Sequence, residues 1–254
     1  DSAMRYNPRI GAVLGAARLA QKPQRQRPVV GLSSLGKTSL SYMVHLKPEL
    51  ESRGYEVAVF HTTGMGGRAM ETLAARGQLA ALMDFSLVEV SNHLMGSLVS
   101  AGADRLEGAG RAGVPQIVAP GGVTLIDMQA WAPVPERFEG REFHAHNRLI
   151  ACAIMEPGEK RAAARAIAAK LQKATGPTAF IMPLAGIDEW DKPGGPFHDP
   201  DGLAAFADEM RQALAPPVEL IEIEAHINDR AFADRALAVL DGWVAEGLVV
   251  RGEV

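Results

Sequence analysis

Four stretches of this chain carry residue types and spacings that could do chemistry. The first, Gly31-Leu-Ser-Ser-Leu-Gly36-Lys37-Thr38, matches the spacing GxxxxGK[ST]. In that motif backbone N–H groups cradle phosphates, the lysine reaches the β/γ-phosphates and the hydroxyl binds Mg²⁺. The apolar run before it is short and takes in Gly31 and Leu32, so Gly31 reads as readily as a strand residue. The alternative to a phosphate loop is a Gly/Ser turn that starts the next helix. Gly36 and Thr38 are kept as candidate anion contacts.

The second stretch is His61-Thr62-Thr63-Gly64-Met65-Gly66-Gly67-Arg68-Ala69. Gly64, Gly66 and Ala69 satisfy GxGxxG/A, and Asp84 lies twenty residues beyond Gly64. On spacing that is a dinucleotide fingerprint, although it follows the second strand rather than the first. Its physical content is simpler. Glycines and threonines at a helix N-terminus expose N–H groups, and Arg68 adds positive charge. Thr63, Gly64, Gly66, Gly67 and Arg68 are therefore expected to hold an anion. The structural alternative is that the glycines permit tight packing and Arg68 makes a surface ion pair. Ser100-Ala-Gly102 and Pro120-Gly121-Gly122 are further small-residue turns, either ligand contacts or plain turn chemistry.

The third and fourth stretches hold histidines. His144-Ala-His146-Asn147 sets two imidazoles on one side of an extended segment. His226-Ile-Asn228-Asp229 follows a predicted strand. His146, His226 and Asp229 are the candidate acid–base groups, with Asn147 and Asn228 beside them. The spacing is not a recognised zinc motif, so no metal ligand is assigned, and a metal at His146 and His226 stays open. Structural hydrogen bonds, or an N-cap by Asn228-Asp229, would explain the same residues. Asp188 and Asp191 sit in a Gly/Pro-rich loop where carboxylates are usually solvated. The lone Cys152 follows an apolar pair and reads as buried and inert.

The elements that must position these residues alternate. Short apolar runs at 29–32, 57–60, 79–83, 116–119, 178–183 and 218–223 predict strands. Segments 39–53, 66–76, 89–99, 104–112, 159–174, 203–214 and 231–246 predict helices, with Gly54, Gly77 and Gly113 as C-terminal stops. Residues 131–143 and 184–199 read as long loops. Such alternation implies βαβ units: an α/β, Rossmann-like, mostly parallel doubly wound sheet with helices on both faces. Whether the elements after Ala151 continue that sheet or start a second stays open at this stage. Residues 8–20 predict an amphipathic helix, and the basic KPQRQR run at 22–27 a linker, so residues 28–254 form the domain proper. In an open parallel sheet, ligands bind beyond the carboxyl ends of the strands.

Composition narrows the classes. The chain has 254 residues, 47% of them hydrophobic, enough for a real core. Twenty-six Lys and Arg against thirty Asp and Glu argue against a nucleic-acid footprint. No run of eighteen apolar residues predicts a membrane helix. One cysteine and no apolar leader within residues 1–9 make a cytoplasmic home the expectation.

The strings EVAVFHTTGMGGRAME, SAGADRLEGAGRAGVPQIVAPGG, FHAHN, PLAGIDEWDKPGGPFHDP and HINDRAFAD, in that order, resemble the Tm-one-like ATP-binding family, named for a tomato protein that confers virus resistance. The resemblance runs from about Pro8 to the end. It implies the C-terminal half of a two-part protein, with residues 1–27 an interdomain helix and linker and the N-terminal half a partner. It implies ATP with Mg²⁺ as a candidate cofactor, and attributes the nucleotide site to the other half. Relatives read differently at Lys37, which makes the phosphate-loop match accidental. The motif positions it carries over are Thr63, Gly64, Gly66, Gly67, Arg68, Ser100, Gly102, His146, Asn147, His226, Asn228 and Asp229.

The resulting expectation is a cleft that binds an anionic small molecule, a phosphorylated metabolite or nucleotide. The Thr63–Arg68 loop would hold the anion, and His146 and His226 its reacting end. One rival is a lyase or hydrolase using His226 and Asp229 as an acid–base pair. The other is a protein-interaction module. A homo-oligomer, by default a dimer, is expected.

Overall fold

A computed structural model describes residues 8–19 and 27–252. Helix α1 (Pro8–Leu19) forms where the first helix was expected, but it is not amphipathic, and Val13, Leu14 and Leu19 are exposed. Most of the basic linker lies outside the described residues.

The domain opens with β1 (Val29–Ser34), longer than predicted because Ser33 and Ser34 stay in the sheet. Then follow α2 (Gly36–Ser52), β2 (Glu56–His61), α3 (Gly66–Ala75) and β3 (Ala81–Asp84). Gly54 and Gly77 adopt positive φ, 82° and 65°, and stop α2 and α3 as expected. Helix α4 is Val88–Leu94 and α5 only Gly108–Arg111, both shorter than predicted. The predicted helix at 104–112 is mostly turn. Leu106, at φ 75°, breaks its helical path. Strand β4 is Gln116–Val118.

Residues 119–156 hold what the sequence reading missed. Strands β5 (Leu125–Gln129), β6 (His144–Ala145) and β7 (Ile150–Ile154) form a separate antiparallel sheet in the order β5-β7-β6. They are short, and two of them lie beside irregular chain, so period-2 alternation had little length to register. The chain then returns through α6 (Pro157–Leu171), β8 (Thr178–Pro183), α7 (Pro200–Ala213), β9 (Glu219–Ile223) and α8 (Arg230–Ala245).

The main sheet runs β2-β1-β3-β4-β8-β9, every pair parallel. The tail of β7 after Ala151 thus belongs to the small sheet, and β8 and β9 continue the first. Alternation along the strands feeds cores on both faces. Val30, Leu32 and Ile117 pack with Leu46, Phe232 and Leu240 of α2 and α8. Val118, Phe180 and Met182 pack with Ile167, Leu171, Phe206 and Met210 of α6 and α7. A third cluster seats Met70 and Ala74 of α3 on Val29 and Leu82. Each such fully buried side chain contributes roughly 1.5–3 kcal/mol relative to exposure. The chain leaves β1 for β2 on one side and then crosses to β3 on the other. That reversal opens a crevice at the carboxyl ends of β1 and β3, where a doubly wound sheet binds ligands. Among the described residues no helix is long and apolar enough to cross a membrane.

Candidate binding site at the carboxyl edge

A cavity of about 240 Å³ lies at this edge. Its floor is the first turn of α2: Leu35, Gly36, Lys37 and Thr38. The small sheet supplies one wall through Leu125, Asp127, His144, Ala145, His146 and Cys152. The loop after β8 supplies the other through Asp188, Glu189 and Trp190.

Only Leu35 separates β1 from α2. Gly31 is a strand residue paired with Ala58 and Leu82, and a Cβ there would lie 2.7 Å from the Leu82 side chain. No loop is left here to wrap a phosphate chain. The first turn of α2 nevertheless keeps its orphan donors. Among the described residues, no acceptor takes the N–H of Gly36, Lys37 or Thr38. Gly36 adopts φ 48°, and its missing Cβ would face His146 Cε1 at 3.9 Å. Thr38 Oγ1 accepts the Glu189 N–H at 3.0 Å, which ties the β8 loop to this turn. The Lys37 side chain has no ion-pair partner among the described residues.

The walls carry buried acids. Asp127 Oδ1 accepts the Cys152 thiol at 2.8 Å, and Oδ2 accepts Asn92 Nδ2 at 3.2 Å. Asn92 Oδ1 returns the bond from the Asp127 N–H, so α4 fixes β5. Burial pushes the Asp127 carboxyl up, against the Cys152 bond and the nearby His146. Burial, then the neighbouring Asp127, pushes the Cys152 thiol up, so it stays protonated. Asp188 is 2% exposed. Its Oδ1 accepts the Trp190 N–H at 2.7 Å, while its Oδ2 is buried with no partner among the described residues. Burial first and Asp191 second push Asp188 up to about 7. At the mouth, the rings of His144 and His146 stand edge-on to Trp190, with centroids 5.0 and 5.2 Å away. Asn147 Oδ1 accepts the N–H groups of Leu149 and Ile150, closing the β6–β7 hairpin.

His226 lies behind the Asp188 loop. Its Nε2 contacts Asp191 Oδ1 at 2.9 Å and the Asp188 carbonyl at 3.1 Å, and its Nδ1 accepts the Asn228 N–H at 3.0 Å. The partners fit the Nε2–H tautomer, assigned from its bonds, and engage both ring nitrogens. Gly186, at φ 137°, leaves room for the ring, since a Cβ there would lie 2.3 Å from His226 Cδ2. Asp229 accepts the His226 backbone N–H at 2.8 Å rather than touching its ring. The expected His226–Asp229 acid–base pair is therefore corrected: the carboxylate on the ring is Asp191. Asn228 Nδ2 donates to Glu189 Oε2 at 2.8 Å. The HIND segment thus locks the 186–191 loop in place.

At the start of α3, the expected anion loop, part of the donor set is engaged from within. Glu89, fully buried, accepts the N–H groups of Gly64 at 2.7 Å and Gly67 at 3.4 Å. Arg105 binds Glu89 at 2.7 Å and grips Asp84 with two bonds of 2.6 and 2.9 Å. That engages the Asp84 expected to serve a nucleotide. A Cβ on Gly67 would lie 1.9 Å from Glu89 Oε2, and one on Gly66 1.9 Å from the His61 carbonyl oxygen. Arg68 donates to the Ala101 carbonyl at 3.1 and 2.7 Å, turning its guanidinium to the Ser100–Gly102 turn. Thr63 is exposed. Ser100 Oγ pairs with His93 Nδ1 at 2.9 Å and accepts the Gly102 N–H at 3.1 Å. Gly121 and Gly122 are buried, with a Cβ on Gly121 falling 2.0 Å from the Phe85 carbonyl oxygen.

Of the predicted residues, then, the cavity gathers Gly36, Thr38 and His146. It adds Lys37, Asp127, Asp188 and Trp190, which sequence reading discounted or passed over. Asp127 was findable from the Leu-Ile-Asp-Met-Gln run, where a carboxylate interrupts an apolar strand. Among the described residues no three His, Cys, Asp or Glu side chains converge as a metal site.

Residues 27–244 match the family model described as the uncharacterised protein family (UPF0261) C-terminal domain. A UPF0261 protein of Brucella melitensis is 55% identical over 244 residues, which are 96% of this chain and 58% of the relative. A UPF0261 protein of Clostridium tetani is 32% identical, over 88% of this chain and 55% of its own length. The tomato (Solanum lycopersicum) ToMV resistance protein Tm-1(GCR237) is 30% identical, over 85% of this chain and 28% of its own length. The chain therefore spans little more than half of the bacterial relatives.

Proposed function

The chain belongs to the UPF0261 family, as its C-terminal domain, and from that premise we propose that it binds a small anionic metabolite at the carboxyl edge of its sheet. The observation that carries this reading is the first turn of α2. Three backbone N–H groups without acceptors among the described residues, and a Lys37 without an ion-pair partner among them, line one cavity. The helix dipole adds favourable potential for negative charge at the same point.

Size selects the class of ligand. The cavity, about 240 Å³, falls below the roughly 300–1,000 Å³ of sites for drug-sized molecules. A small carboxylated or phosphorylated acid fits better than a nucleotide. ATP with Mg²⁺ does not fit the residues present, since Leu35 alone links β1 to α2 and Asp84 is engaged by Arg105. The apolar faces of Leu35, Leu125 and Trp190 suit the carbon body of such an acid.

Isothermal calorimetry with sulfate, with acetate and with Mg-ATP tests the reading. Saturable binding of the small anions is expected, weakened about tenfold by Lys37→Ala, equivalent to about 1.4 kcal/mol. Arg68→Ala is expected to leave it unchanged. Saturable Mg-ATP binding that depends on Arg68 and not on Lys37 would overturn it.

A further inference from the structure

An anion seated on α2 shares its cavity with a carboxyl group. Asp188 is buried, and its Oδ2 has no hydrogen-bond partner among the described residues. A buried polar atom left unpaired is costly, so the atom marks a place where a ligand completes the bonding. Its reach to the anion is set by the chain itself. The next residue, Glu189, is held to Thr38 in the first turn of α2, and both residues line the cavity. Two negative charges in one buried site disfavour each other strongly.

We propose that the site takes up a small oxyanion together with one proton, which resides on Asp188 Oδ2 and is donated to a ligand oxygen. The remaining ligand oxygens accept the N–H groups of Gly36, Lys37 and Thr38. The proton comes from solvent and returns there when the anion leaves. The O–H bond on Asp188 is the one bond made, and no bond within the ligand changes. The inference rests on the anion reading above and narrows it. The ligand carries at least two acceptor oxygens on one centre, as a carboxylate or a phosphate does, and the acid–carboxylate contact is of the strong, charge-assisted kind.

The surroundings agree. Asp191 comes from the same loop and His226 from the turn after β9. Lys37 comes from α2, Asp127 and Cys152 from β5 and β7, and His144 and His146 from the β6 hairpin. Burial and Asp191 raise Asp188 to about 7, against the Trp190 N–H and His226. A bound anion raises it further. Affinity is therefore greatest below the free-state value and falls as pH climbs above it.

The test is calorimetry with sulfate and with acetate between pH 6.5 and 8.5, in buffers of different ionisation enthalpy. Both probes stay ionised over that range, so any proton taken up belongs to the protein. The two arms also separate a phosphate-like from a carboxylate ligand. A His144→Gln/His146→Gln variant, run alongside, removes the imidazole contribution. The expected result is Kd rising by up to about tenfold per pH unit above neutrality, with close to one proton taken up per anion at pH 8. Asp188→Asn should bind with the low-pH affinity of the unmodified chain and no pH slope, because its amide supplies the donor permanently. At pH 8, added sulfate should also produce the infrared C=O stretch of a protonated carboxyl, absent in Asp188→Asn. Saturable binding with no slope and no proton uptake, or a slope that persists in Asp188→Asn, overturns the inference and leaves the anion site standing. No binding of either probe at any pH overturns the anion reading and this inference with it.

Discussion

Two helices, α2 and α3, begin side by side at the carboxyl edge of the sheet, after neighbouring strands, and their N-termini have met opposite fates. The start of α3 has the richer sequence: two threonines, three glycines and an arginine. Two N–H groups there, of Gly64 and Gly67, are taken from within by Glu89, which Arg105 and Asp84 hold in place. The start of α2 has one glycine and a lysine, and its N–H groups face a cavity. A helix N-terminus attracts negative charge wherever it lies. Whether the charge comes from a ligand or from the protein is decided by which side chain the fold brings there.

Breaking the internal anion site should cost the most. Arg105→Leu leaves Asp84 and Glu89 buried without their cation. A loss of about 3–5 kcal/mol is expected, since removal of one partner strands a buried charge. Urea denaturation measures it, and a loss below about 1 kcal/mol would show that the cluster does not hold α3.

The glycines sharpen the contrast. Gly66→Ala places a Cβ 1.9 Å from the His61 carbonyl oxygen, a backbone atom that cannot swing away. An overpacking cost of about 3 kcal/mol is expected. Gly36→Ala meets nothing closer than 3.9 Å and pays only for its positive φ, about 1 kcal/mol. Its effect should appear instead in anion binding. Equal losses of thermal stability in the two variants would contradict the picture of a filled site beside an open one.

The smallest effect is a pH dependence. Glu71 lies 3.6 Å from Arg105 in the filled cluster, and burial pushes its carboxyl up to about 7, despite that arginine. Its folded-state value lies above its unfolded one. The stability it contributes is therefore complete below about pH 4.5 and lost as pH rises through 7. Glu71→Gln should flatten that decline and raise Tm at pH 8 by roughly 3–6 °C, for about 1–2 kcal/mol. An unchanged Tm–pH profile would show that Glu71 ionises without penalty.

The main sheet was legible because its signals are local. Strand β8 was predicted at 178–183, where it is found, and Gly54 and Gly77 stop helices as expected. Apolar runs, glycine stops and helical spacing depend only on near neighbours along the chain. The small sheet was not legible, because its strands are short, β6 of only two residues, and give period-2 alternation too little length to register. The candidate site divides in the same way. Gly36, Thr38 and His146 were marked by residue type and spacing. The sequence alone also placed His226 beside Asn228 and Asp229, but not the Asp191 carboxylate that occupies its ring. That contact spans thirty-five residues, and the Glu89 bonds that fill α3 span twenty-two and twenty-five. What the sequence determined by itself was the alternation of elements and the family motifs that punctuate it. The tertiary structure alone decided which helix start lines the cavity and which buried carboxyl oxygen lacks a partner among the described residues. Both outcomes depend on long-range packing, which sets burial and the neighbours of every charge.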